Sequence, residues 1–233
     1  MGRCVCKQCH WLRQGSIHAD HFEWNSVTSS GGDVFWAVRS IVSADIFGEK
    51  YSDTAISQVV GRLSSEGRLL WSVLIERGVS TTQFRDTLQG MSLDHSENVY
   101  LMMRLNIGYY VFRSRLSKDE RTFQSTSNLF SVILKYNHFG DLLYVRPALS
   151  DVVGSYFIHE MVVDRGGQYA WVTGLLFNKV RVMGQDHGAN GRVSAFVAYS
   201  NLSQQSVTWF ISAETDSRSI FLSESPDREM RIR

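Results

Sequence analysis

Cysteine is nearly missing from this chain: three occur in 233 residues, at positions 4, 6 and 9, and none follows. A disulfide framework spreads its cysteines through the fold, so this distribution excludes one. Proline is as scarce, with two residues, and Pro147 stands after a run of apolar residues as a candidate boundary. An excess of one charge is also lacking, since 24 Lys and Arg face 23 Asp and Glu for a formal charge of +1. That balance provides no electrostatic argument for nucleic acid or an anionic membrane as partner. The longest apolar run, residues 69–75, falls far short of the roughly 20 residues a spanning helix needs. The first residues lack the apolar core of a secretory signal, and position 6 is not the Ser or Thr of a myristoylation site, so a cytoplasmic or otherwise intracellular location is expected.

What is abundant is core material, 43% apolar and 12% aromatic, which excludes wholesale disorder. Residues 1–30 are rich in Cys, His and Trp and end in a polar run that reads as a loop. Asp33 can cap a helix over 34–44, where Phe35, Val38, Ile41 and Val42 recur at helical spacing. Ile56, Val59, Val60, Leu63, Leu69, Leu70, Val73 and Leu74 suggest two more helices divided near Ser64. Shorter helices are expected from Thr81 to Leu88, stopped by Gly90, and from Ser96 through Met103. After Asn106 the texture turns β-branched and aromatic, with strands expected at 107–112, 129–136 and 141–146. Six short strands follow, at 156–163, 169–176, 179–183, 193–199, 207–212 and 220–222, the spacing of a small antiparallel sandwich or barrel. No internal repeat is evident.

Three segments, taken in order, resemble the ovarian-tumour (OTU) family of papain-like cysteine proteases. Gly31-Gly32-Asp33-Val34-Phe35-Trp36 is similar to that family's nucleophile turn. Gly90-Met91-Ser92-Leu93-Asp94-His95-Ser96-Glu97, with the segment to Val111, is similar to its Trp-Gly-Asp-x-x-Glu helix and following strand. Tyr136-Asn137-His138-Phe139-Gly140-Asp141 is similar to the Asn-x-His turn bearing the family's histidine. The resemblance implies an α+β fold, papain-type helices with a small sheet, followed by a β-rich sandwich or barrel. It divides the chain into an arm at 1–30, an OTU-like domain at 31–149 and an antiparallel β-rich domain at 150–233. It places Val34 in the nucleophile position, with Asp33, Asn137 and His138 completing the catalytic set. A thiol there would sit at a helix N-terminus, whose dipole favours thiolate. Valine supplies no nucleophile, and no cysteine follows position 9 to replace it.

In the arm, the pair Cys6 and Cys9 followed by the pair His18 and His21 has the donor chemistry of a structural zinc site. Buried thiols and solvated histidines without metal satisfy the same residues. His95, His187 and the neighbouring His159 and Glu160 read most simply as turn or strand residues. No phosphate loop, dinucleotide fingerprint, HExxH or nucleophile elbow occurs, so no other cofactor is expected.

The function expected from these features is a catalytically inactive OTU-like module that binds a protein, either ubiquitin-like or part of a larger, conceivably viral, assembly. The alternatives are an active deubiquitinase or viral cysteine protease, and a purely structural assembly subunit.

Overall fold

The computed structural model describes residues 16–18, 23–39, 43–46, 49–52, 56–78, 86–116, 120–126, 130–182 and 185–214. Among them there is no helix; every element is a strand and every pairing is antiparallel. The expected α+β class is therefore corrected to all-β. The residues thought to begin a helix at Val34 form β3 (Val34–Arg39), which pairs with β2 (Glu23–Thr28). Those expected as a helical pair are β6 (Ile56–Leu63) and β7 (Leu69–Arg77), and those after Ser96 are β9 (Val99–Leu105).

The physical reason is visible in β7. Trp71, Val73 and Ile75 are buried while Ser72 and Leu74 are only half-buried, so the operative period is two. Strand β9 misleads differently. Val99 to Met103 are all buried, because both faces of this strand are covered, and a short continuous apolar run has no period to distinguish strand from helix.

A small sheet joins β1 (Ser16–His18), β4 (Ser43–Ile46) and β5 (Glu49–Ser52). The rest of the described strands form a six-stranded sheet and a seven-stranded sheet that folds along one long shared strand, so that three layers stack, each with four strands at its centre. The first is β2-β3-β6-β7. The second is β8 (Thr87–Leu93), β9, β12 (Phe130–Tyr136) and the first part of β13 (Leu142–Val163). The third is the remainder of β13 with β14 (Tyr169–Val182), β15 (Gln185–Asn201) and β16 (Ser206–Glu214). Strand β13 pairs with β12 up to Ser150 and with β14 from Leu149 onward, so it changes layer where a domain boundary was expected, and runs unbroken through Pro147. The strand expected at 220–222 lies outside the described residues.

The hairpin β10 (Gly108–Arg113) and β11 (Glu120–Ser125), inserted between β9 and β12, instead extends the first layer by pairing β10 with β7. It is pinned where Tyr110 donates to Asp86 Oδ1 at 2.6 Å, and Asn106 N also donates to that oxygen. Burial, then the nearby Asp86 carboxylate, pushes the Tyr110 phenol up.

The layers interleave two cores. Phe35, Val60, Trp71 and Val73 of the first meet Val99, Leu101, Leu134 and Tyr136 of the second. Tyr100, Met102 and Ile133, on the second layer's other face, meet Met161, Val172, Ala198 and Phe196 of the third. Each such side chain, when fully buried, contributes about 1.5–3 kcal/mol, which holds the stack together. The closest backbone approaches between layers run along their first strands, β2 to β8 and β8 to β13. Glycine permits the second approach, because a Cβ on Gly90 would lie 2.9 Å from Met161 N. Four-stranded antiparallel sheets fanning from their innermost strands are the arrangement of successive β-propeller blades.

The repeat missing from the sequence reading lies in the turns. Ser29, Ser64, Asp94, Asn137, Asp164 and Asn201 each begin a hairpin turn and each accepts backbone N–H bonds from the turn with its own side chain. Near the end of each turn one residue is left-handed: Gly32, Gly67, Glu97, Gly140, Gly167 and Gln205 in that order. One turn recipe, with a short polar opener and a left-handed residue, thus closes two hairpins in every layer.

Candidate interaction surface

The three segments that suggested a protease are three of these turns. Gly31 to Asp33 close β2 to β3, Asp94 to Glu97 close β8 to β9, and Asn137 to Asp141 close β12 to β13. Asn137 uses its side-chain oxygen to hold Phe139 N and Asp141 N, at 3.0 and 2.9 Å. The His138 ring packs on Phe139, with centroids 3.7 Å apart.

Two of the expected site residues do converge, on a residue the sequence reading passed over. Arg62 on β6 donates to Asp33 Oδ2 through Nε and Nη2 at 3.0 and 2.7 Å, and Nη2 also reaches Glu97 Oε2 at 2.6 Å. Its Nη1 donates to the His138 carbonyl at 2.9 Å, an oxygen that also receives Trp71 Nε1. One guanidinium thus bridges a turn of its own layer and both turns of the next. Val34 takes no part in this. It packs with Trp36, Val38, Val59 and Leu63 on the other face of the first layer, so the nucleophile position and His138 lie on opposite sides of a sheet. The expected helix-start geometry is absent because Val34 opens a strand. Cys6, Cys9 and His21 lie outside the described residues, and of His18 only the backbone, at the end of β1, is described. Among the described residues no group of three or more Cys, His, Asp or Glu is placed to hold a metal. No helix among them is long and apolar enough to cross a membrane.

Arg62 belongs to a transverse row that recurs in every layer. In the first it is Val27, Phe35, Arg62, Trp71; in the second Ser92, Tyr100, Lys135, Tyr144; in the third Val162, Trp171, Tyr199, Trp209. The first two rows place a cation over an aromatic ring: Arg62 lies 4.8 Å from the Phe35 centroid and Lys135 4.7 Å from that of Tyr100. Both rows are covered. Phe35 and Tyr100 are fully buried, and the Tyr100 hydroxyl, 3.0 Å from Asp94 Oδ2, shares its proton with the Gly167 carbonyl 3.1 Å away across the second junction. Lys135 stands 3.3 Å from Asp94. Burial alone would raise the Asp94 carboxyl, but bonds from Asn98 and Tyr100 and the Lys135 charge together hold it below its ordinary value.

The third row is open at Val162 and Trp171, while Tyr199 and Trp209 are half-buried. Trp171 is 37%, Val162 46% and the neighbouring Ile211 54% exposed. Four rings cluster on this face: Trp171 to Tyr199 at 4.6 Å, Trp171 to Trp209 at 5.0 Å and Tyr169 to Tyr199 at 5.1 Å between centroids. Tyr199 stands where the other rows have Arg62 and Lys135, so no cation occupies the row. Sequence alone shows that residues 169–176 and 207–212 alternate, but not which of their two faces another layer covers. No family model and no curated protein matches the chain.

Proposed function

We propose that this chain is a protein-binding module of stacked β-layers, and that it engages its partner with the aromatic face of the third layer. One observation carries this reading. Equivalent rows in the first two layers are buried by the next layer, whereas Val162, Trp171 and Ile211 stand exposed. A contiguous apolar patch rimmed by polar turns is what a docking surface requires, and Trp and Tyr are the side chains that anchor such surfaces. The protease alternatives and the ubiquitin-like partner rested on an α+β fold and are not retained. Binding within a larger assembly does not depend on that fold. A photo-crosslinking residue installed at Ile211 should form a protein adduct in the cell, while the same residue at Leu116, 66% exposed on the loop after β10, should not. Equal labelling from both positions, or none from Ile211, would sink the reading.

A further inference from the structure

The occupant of the open face can be inferred from its chemistry; the inference rests on the docking role proposed above. At the first junction, the covering layer presents its turns to a cation, with Glu97 and the His138 carbonyl on Arg62. At the second, Lys135 balances Asp94 beside the Gly167 turn. The aromatic end of the third face has neither device. Its rows read Val162, Trp171, Tyr199, Trp209; then Glu160, Thr173, Val197, Ile211; then Leu175, Ala195, Ala213 across β14 to β16. These three rows hold no Lys or Arg; Glu160, beside the exposed and bulged His159, is their single formal charge, and farther along the same face Arg181 is already paired with Asp186 at 2.6 Å. A fourth layer offering acidic turns would therefore bury carboxylates without a counter-charge. A neutral aromatic face is instead complementary to itself.

We infer that the third layer packs face to face on the third layer of a second copy of this chain, about a two-fold axis, as the inner faces of a β-sandwich pack at about 10 Å. Such contact closes at two copies. The outer face of the first layer, with Trp36, Val38 and Val59 at 0% exposure and Leu63 at 2%, is already buried and cannot propagate the stack. Four strands about 4.8 Å apart, over roughly seven residues at about 3.4 Å each, present about 450 Å² in projection. Two copies would bury on the order of 1,000 Å², the lower end for a specific interface, so dissociation in the micromolar range is expected.

Sedimentation velocity on the full chain, from about 1 to 100 µM, should show 26.5 kDa monomer giving way to a species of twice that mass. Ile211→Glu and Val162→Lys place an unpaired charge in the contact and should each raise the dissociation constant at least about tenfold, with unchanged far-ultraviolet circular dichroism. Leu116→Glu should change nothing. Monomer at every concentration, growth past the dimer, or a dimer indifferent to both variants overturns the inference. The two readings fail separately: a crosslink from Ile211 to a different protein would keep the docking role and exclude the second copy as its partner.

Discussion

Replacing Arg62 by alanine tests how the first two layers are joined. The guanidinium is 11% exposed and Asp33 and Glu97 are 19% and 29% exposed, so this is a partly solvated network. Breaking a fully buried ion pair costs about 3–5 kcal/mol, most of it from the charge left behind. Two partners here keep a donor after the change. Asp33 retains Ser65 N at 2.8 Å and the His138 carbonyl retains Trp71 Nε1 at 2.9 Å; only the bond to Glu97 leaves a carboxylate facing an empty site. Solvent exposure lowers the penalty again, while the uncovered Phe35 ring adds a packing loss, so we expect about 2–3 kcal/mol. The assay is urea unfolding followed by circular dichroism, at concentrations where the chain is monomeric. Glu97→Gln alone should cost about 1 kcal/mol, and the double variant less than the sum of the two, with a coupling of about 0.5 kcal/mol or more. A loss below about 0.5 kcal/mol for Arg62→Ala, or additive single variants, would refute the view that one cation bridges these three turns.

Asp94 carries a pH signature. Its folded-state value lies below the 3.8 of a free carboxyl, so its contribution is complete above about pH 4 and disappears as pH falls through the folded value. Asp94→Asn should therefore be less stable at neutral pH yet lose less below pH 4, and parallel urea midpoints down to acid pH check it. The Tyr136 hydroxyl is buried with no hydrogen-bond partner among the described residues, and burial pushes its phenol up. Tyr136→Phe is expected to be neutral or stabilising by up to about 1 kcal/mol, and a loss beyond that would show an unrecognised partner. Gly140 has φ +92°, and a Cβ there would stand 2.9 Å from Trp71 Cδ2, so Gly140→Ala should cost at least about 2 kcal/mol. Gly31→Ala, whose nearest neighbour would be an ordinary 3.7 Å away, should cost far less, and equal thermal shifts for the two would contradict the contact.

Most strands after Asn106 were legible because their apolar residues alternate or are aromatic and β-branched between Gly, Asn and Asp breaks; β11 was not, since its start lies in a charged segment that reads as a loop. Those before it were not. Val59, Val60 and Leu63 satisfy a helical spacing by coincidence, since β6 carries apolar side chains on both faces, one toward Trp71 and Val73 and the other toward Trp36 and Val38. The turns were visible as residues but misread in role. Ser, Asp and Asn side chains cap helices and open hairpins with the same chemistry, and local sequence does not choose between the two. Of the expected site, Asp33 and His138 do meet, but through Arg62, whose importance depends on three turns from separate parts of the chain.

By itself, the sequence determines where polar, turn-forming residues fall along the chain, the lack of a disulfide framework, and the near-neutral charge. These are local or additive properties that any fold inherits. Which faces are covered was decided only in three dimensions, because a strand's two faces are equally apolar until another layer packs on one of them. Phe35 and Trp171 occupy the same place in their respective layers; one is buried because the second layer packs on it, and the other is open because no layer among the described residues does so.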